Sequence, residues 1–391
     1  LLAATAPAAA DGLQTAIGKA VFDRLWVRAP ASTRSADGLG PLFAARSCAS
    51  CHGAGGGRTS FRLGRDDPAE HPGLVVRLGA ADGRPDPVYG AQLQPEGLGK
   101  APGEGRAAVR LAAAAGPAQP EWRVDDWGYG PPAADTRISP RIAPTLAGIG
   151  MLARVPDAAI LALEDPDDRD GDGVSGRAAR MMTPSGEGIG RFGWKAAEPG
   201  LDSQVATAFS LDLGLSTELR PDPAGDCTPA QVACRAAPQG AAAGEMEVPR
   251  ELVASLVAFL ERRPRPAAVD DPRGSRLFAL TGCAACHAPA LPLAGGGSAA
   301  AYTDLLLHDM GEGLDDGMGE GAAKSPEWRT APLWGLSRAI ESGSGLLHDG
   351  RAADVAEAVA WHGGEAVGAR SRFDSLSTLD RNALIRFVNG L

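Results

Sequence analysis

A mainly α fold, laid down twice in tandem, is what the sequence predicts, and three observations predict it. An eleven-residue string, L-F-A-x-x-x-C-A-x-C-H, occurs at 42–52 and again at 277–287. An apolar helical pattern closes each half, at 249–262 and at 379–388. Between the halves, Arg263-Pro264-Arg265-Pro266 and then Asp270-Asp271-Pro272 interrupt any regular element. A string of that length, repeated, marks an internal duplication.

C-x-x-C-H is the attachment signature of a c-type haem. Cys48 and Cys51, and again Cys283 and Cys286, supply the two thiols that add across the haem's vinyl groups. His52 and His287 follow directly and are placed under the iron as axial ligands. C-x-x-C alone also suits a zinc knuckle or a dithiol redox pair; a His directly after each copy favours haem. Two covalently attached haem c groups are therefore expected, in two cytochrome c-like haem domains in tandem with long ordered Gly/Pro-rich loops. The expected division is a signal-peptide remnant or disordered tail over 1–12, an N-terminal haem domain over 13–263 with large loop insertions, and a C-terminal haem domain over 264–391.

Gly (52) and Pro (31) together exceed a fifth of the 391 residues, which predicts long loops around a cofactor that fills much of the core. Tyr (3) and Phe (9) are few, and a porphyrin supplies apolar mass in their place. A net charge of −10 argues against nucleic acid or an anionic membrane surface as partner. No apolar run approaches the length of a transmembrane helix. Cys227 and Cys234 remain outside the haem motifs, and a small disulfide is expected of them. Attachment of haem to C-x-x-C-H takes place outside the bacterial cytoplasmic membrane. The opening Leu1-Leu2-Ala3-Ala4 through Ala8-Ala9-Ala10 reads as the tail of a signal peptide with an A-x-A cleavage site. Both point to the periplasm.

In chain order, Ile17, Val21 and Leu25, with Ala20 and Phe22, recur at helical spacing and predict a helix over 14–28. Gly38-Leu39-Gly40-Pro41 leads into a short helix carrying the first motif. Within the Gly/Pro-rich span 53–135, only Val75-Val76-Arg77-Leu78 reads as a short strand. The stretch 139–164 is better patterned: Pro144 favours a start, and Ala153 to Leu163 suits a helix with Pro156 near its first turn. An acidic Gly loop over 165–177 precedes a helix over 201–213. The helix over 249–262 lines Leu252, Leu256, Phe259 and Leu260 along one face. After the break, the second haem helix follows at once, and Leu384, Ile385, Phe387 and Val388 form the apolar side of the closing helix.

Longer strings narrow the reading. Ser139-Pro140-Arg141-Ile142-Ala143-Pro144, Gly190-Arg191-Phe192-Gly193-Trp194-Lys195-Ala196, Trp328-Arg329-Thr330-Ala331-Pro332-Leu333-Trp334-Gly335-Leu336 and Leu347-His348-Asp349-Gly350-Arg351-Ala352 resemble the di-haem oxidoreductases described as peroxidases or thiol oxidoreductases. The resemblance covers about residues 15–391. That family is related to bacterial di-haem cytochrome c peroxidases and to the methylamine dehydrogenase maturation enzyme.

The resemblance implies site residues. In the peroxidases a Met ligand of the electron-transfer haem lies fourteen residues after the His of a Phe-His-Asp-Gly string; the same step from His348 reaches His362. This implies an iron held by His287 and His362, at lower potential than a His/Met centre. A packed core His beside Trp361 is the other reading of His362, and His308 and Met310 are rival ligands. The peroxidases place a Trp between the porphyrins and a Gln ten residues on; Trp194 and Gln204 hold that spacing. Trp194 is then the electron relay, or else a core Trp. The peroxidases' catalytic Glu, a further ten residues on, is Gly214 here, and the nearest carboxylate, Asp212, is the candidate distal acid. His71 lies nineteen residues after His52, near the spacing of a removable distal His, but its flanks favour a surface-loop residue. His348 can hydrogen-bond a haem propionate and Arg351 can pair with one, or both only stabilise a turn.

The acidic loop Asp165-Pro166-Asp167-Asp168-Arg169-Asp170-Gly171-Asp172-Gly173 crowds carboxylates that invite a hard cation. With Asp168 as the first position of a calcium loop, Asp170, Asp172 and Gly173 fall at the third, fifth and sixth. Ala179 stands where a bidentate Glu is expected, so Asp165, Asp167 or a carbonyl must complete the set, or the loop is a solvated acidic turn. The function expected is a periplasmic di-haem peroxidase reducing hydrogen peroxide or another small oxidant at the N-terminal haem. Electrons would come from the C-terminal haem and a donor such as a small cytochrome or cupredoxin. A non-catalytic electron carrier and a di-haem oxygenase acting on an organic substrate are the alternatives.

Overall fold

The computed structural model describes residues 6–53, 56, 61–113, 118–184, 186–242 and 244–391. The fold is mixed α and β, which corrects the mainly α expectation: among the described residues, six two-stranded antiparallel sheets lie between the helices. The Gly/Pro-rich spans zip into short ladders. Arg106–Ala112 pairs with Gln119–Asp125, and Ala179–Thr183 with Gly186–Gly190. Leu74–Gly79, longer than the strand expected there, pairs with Arg137–Ile142. The stretch 139–164 thus opens as the end of a strand, and the helix expected over Ala153 to Leu163 is shorter and follows a break. Two short helices follow, Ile149–Ala153 and Asp157–Leu161, with Pro156 as the N-cap of the second.

The first helix spans Ala6–Asp23. It begins inside the 1–12 stretch set aside as a tail, of which residues 1–5 lie outside the described residues. It also ends five residues short of the expected 28, because the chain leaves it to bury Trp26. The Trp26 N–H donates to the Arg46 carbonyl (2.9 Å), and its indole meets Phe209 edge-on. Leu25 faces solvent.

Each half is closed by a helix crossing made at a glycine. Ala6–Asp23 packs on Arg250–Glu261 at Gly18, where a Cβ would lie 1.9 Å from the Ser255 carbonyl oxygen. Pro272–Leu280 packs on Thr378–Asn389 at Gly274, where a Cβ would lie 2.2 Å from Phe387 Cβ. Gly inside a helix costs about 0.5–1 kcal/mol relative to Ala; here it lets the backbones touch. Asp271 caps the Pro272–Leu280 helix by accepting the Gly274 N–H, with Pro272 at the position where no donor is needed.

Residues 263–271 form no helix or strand. The largest buried cluster joins Val21, Phe22 and Trp26 to Phe209, Leu256 and Phe259, and also takes in Leu291, Leu306 and Trp334 from beyond the break. A second cluster gathers Phe278, Trp328, Trp361, Leu384 and Phe387. Among the described residues no helix is long and apolar enough to cross a membrane.

Candidate haem centres

The two C-x-x-C-H strings line one cavity of about 1450 Å³. They reach it differently. Cys48–His52 is a short α-helix whose N-cap, Ser47, accepts the Ser50 N–H through Oγ (3.0 Å). The second motif is not an α-helix start, as expected, but a 3₁₀ turn, Cys283–Ala285, entered through a left-handed Gly282. Burial pushes the Cys48 thiol up to about 12 and raises Cys51 and Cys283 as well. All four cysteines are free.

Three histidines lining the cavity share one arrangement. Nδ1–H donates to a backbone carbonyl: His52 to Pro144 (3.0 Å), His287 to Tyr302 (2.9 Å) and His362 to Ala358 (2.8 Å). A carbonyl can only accept, so the proton sits on Nδ1 and Nε2 keeps its lone pair. That is how a metal-ligating His is oriented. Burial lowers the pKa of His52 and His362 and takes His287 down to about 4. His287 lies close enough to His362 to feel its charge. The residues present therefore fit two haems: a large, mostly apolar cavity, two pairs of free thiols, and neutral imidazoles with free Nε2 atoms.

The rival ligand His308 is held at both ring nitrogens, Nε2 by Asp304 (2.9 Å) and Nδ1 by Glu365 (2.8 Å). Burial lowers its pKa, but these hydrogen bonds and that with Cys286 outweigh it and raise it well above the ordinary value. A doubly anchored imidazolium offers no lone pair. Met310 lines the cavity. His71 accepts the Gly73 N–H and packs on Phe61, away from the cavity wall.

Trp194 packs against both the Phe61–Ile142 cluster and the second core, lines the cavity, and donates Nε1–H to the Ile142 carbonyl (2.9 Å). Gln204 and Asp212 lie on the helix Leu201–Leu213, which runs over the residues expected of it. Both line the cavity, and among the described residues Gln204 Oε1 is buried with no hydrogen-bond partner. Asp212 sits beside the first motif: its charge acts on Cys48 and Cys51, and its carbonyl accepts the Ala44 and Ala45 N–H groups (2.9 and 3.0 Å). Burial raises its pKa against one hydrogen bond from Gln92 Nε2 (2.9 Å).

His348 is buried, lines the cavity and stacks on Trp328. Arg351 does not reach the cavity. It pairs with Asp349 (2.9 Å), donates to the Gly313 carbonyl (2.7 Å) and lies over Trp361. The acidic loop brings carboxylate oxygens of Asp168, Asp170 and Asp172 within 4.8 Å of one another, while Asp165 turns to Arg169 (2.9 Å). Cys227 and Cys234 are joined, with Cα atoms 6.2 Å apart.

Sequence reasoning gave no role to Lys195, Asp226 or Arg329. Lys195 is fully buried, with Nζ donating to Asp316 (2.9 Å) and to the carbonyls of Met318, Ser325 and Lys324. Asp226 lines the cavity, and burial lifts its carboxyl to about 6 against the Ala91 and Gln92 N–H groups. A Lys directly after Phe192-Gly193-Trp194 was the one available signal.

No curated protein matches the sequence. Among solved structures, the chain is similar to Kuenenia stuttgartiensis hydrazine synthase, pressurized with 20 bar xenon. The identity is 12% over 97% of this chain and 87% of that one, with a TM-score of 0.41. Residues 132–391 match the family described as "Di-haem oxidoreductase, putative peroxidase". With that match spanning well over half of its length, the chain belongs to the di-haem oxidoreductase family.

Proposed function

We propose that the chain is a periplasmic c-type di-haem peroxidase, with one haem attached at Cys48 and Cys51 and the other at Cys283 and Cys286. The observation that carries this reading is an asymmetry of imidazoles. His287 has a second cavity histidine, His362, close enough to act on it; among the described residues no histidine acts in that way on His52, and Asp212 lies near its motif. Haem, when bound, supplies the iron for electron transfer and, where one axial face stays open, for peroxide reduction. His52 and His287 would each hold one iron, and His362 would be the second protein ligand of the His287 iron. Asp212, half-buried and inclined to keep its proton, serves as distal acid, with Gln92 orienting it and Gln204 offering an unpaired acceptor. Trp194, in contact with both sets of buried residues, relays electrons from the second centre. A small periplasmic cytochrome or cupredoxin is the donor. The Asp168–Asp170–Asp172 cluster supports a weak calcium loop, without Asp165.

Low-temperature EPR of the oxidised protein and steady-state peroxide turnover with a reduced donor test the reading together. One high-spin and one low-spin haem, with turnover, is the expected result. Two low-spin haems inert to peroxide in every redox state would overturn it in favour of an electron carrier.

A further inference from the structure

We infer that Arg329 is the anchor for a carboxylate of one bound haem and couples that carboxylate to Trp194. The inference rests on the haem-binding reading but not on peroxidase activity. Arg329 ends the strand Glu327–Arg329, fixed by its pairing with Leu307–Asp309. Its backbone N–H donates to the Trp194 carbonyl (3.0 Å), Nε–H to the Gly193 carbonyl (2.9 Å) and Nη1–H to the Thr330 carbonyl (3.0 Å). All three acceptors are neutral. Among the described residues no carboxylate forms an ion pair with it, and Nη2 has no partner.

Four neighbouring cations are paired, whereas Arg77, Arg370 and Arg372, which also line the cavity, have no ion pair among the described residues. Lys195 has Asp316, Arg141 has Asp316 and Glu320, Arg177 has Glu327, and Arg351 has Asp349. Asp304, whose charge reaches Arg329, is already bonded to His308. A guanidinium withdrawn from water without an anion is unfavourable, and burial pulls its pKa down to about 10. Arg329 lines the same cavity as both attachment motifs. The anions a haem brings into that cavity are its propionates, and a planar guanidinium with a free edge suits a carboxylate. Arg351, the propionate partner expected from the sequence, is engaged by Asp349 outside the cavity wall. Because Arg329 also grips both carbonyls of Gly193 and Trp194, the loop bearing the indole is held relative to the carboxylate.

The test is a potentiometric titration of the purified holoprotein, followed by EPR, in the absence of peroxide, for wild type, Arg329→Leu and Arg329→Lys. Haem content is measured alongside as the pyridine haemochrome. Removing a cation beside a haem carboxylate favours the more positive, ferric state. The expected result is a lower midpoint potential at one haem in Arg329→Leu, a much smaller change at the other, and substantial recovery in Arg329→Lys, all with two haems per chain. Unchanged midpoints in Arg329→Leu at full haem content would overturn the inference, as would an equal fall in Leu and Lys variants. A wild-type midpoint that responds to added phosphate at constant ionic strength would assign Arg329 to a soluble anion and also overturn it. If the Leu variant does not accumulate, Arg329→Gln and Arg329→Lys give the same comparison. A wild-type chain without haem would instead defeat the haem reading itself.

Discussion

The Trp328 indole lies face to face with the His348 imidazole, 3.9 Å between centroids and 12° between planes. Burial pushes the His348 pKa down to about 3, with Asp349 opposing and Arg351 assisting the fall. In the unfolded chain the ring takes up a proton near its ordinary value of about 6.5. Its contribution to stability is therefore intact above that value and is lost as pH falls from about 6.5 toward 3. His348→Phe keeps the stack and removes the titration. The variant should show a pH slope of stability shallower by about one proton over that window, measured by denaturant unfolding from pH 3 to 7.

Trp328 also carries a cation: Lys195 Nζ sits 4.3 Å from its ring centroid. Lys195→Met would strand the carbonyls of Met318, Ser325 and Lys324 and leave Asp316 with Arg141 as its cation, beside the Ser139 hydroxyl and the Met318 N–H. Breaking a buried pair in this way costs about 3–5 kcal/mol. A fall of that size should appear in denaturant unfolding of the holoprotein, with both haems retained.

Asp212→Asn keeps the shape of the side chain and removes the acid. Peroxide turnover should fall by roughly 10²–10⁴-fold. In the wild type, activity should decline as pH rises through the elevated Asp212 pKa, because only the protonated form donates. The Asn variant should lack that alkaline limb in a kcat/KM profile.

His362→Gly removes one imidazole of the His287/His362 pair. EPR should show loss of one low-spin signal and gain of a high-spin one, reversed by added imidazole. A spectrum identical to wild type would remove His362 from the ligand set.

What the sequence makes legible divides along physical lines. The helices Leu201–Leu213, Arg250–Glu261 and Thr378–Asn389 were readable because long amphipathic runs carry their own signal. The strand Arg137–Ile142 was not. It holds Pro140, which a two-stranded ladder tolerates, and it abuts Pro144, which reads as a helix start. The 3₁₀ turn of the second motif had only Gly282 to announce it. The two C-x-x-C-H strings that line the cavity were legible because a motif of fixed local spacing needs no partner elsewhere in the chain. Arg329 and Lys195 were not, because their partners lie more than a hundred residues away in the chain.

The two glycine crossings set an order on assembly. Gly18 meets Ser255 across more than two hundred residues, and Gly274 meets Phe387 across more than a hundred, so each half is fastened by its own final helix. Contacts so distant along the chain are slow to form. Cys51 is buried once the first half is fastened. On the proposed attachment at Cys48 and Cys51, the thiols would be best reached by incoming porphyrin while the closing helices are still undocked, before the fold is sealed.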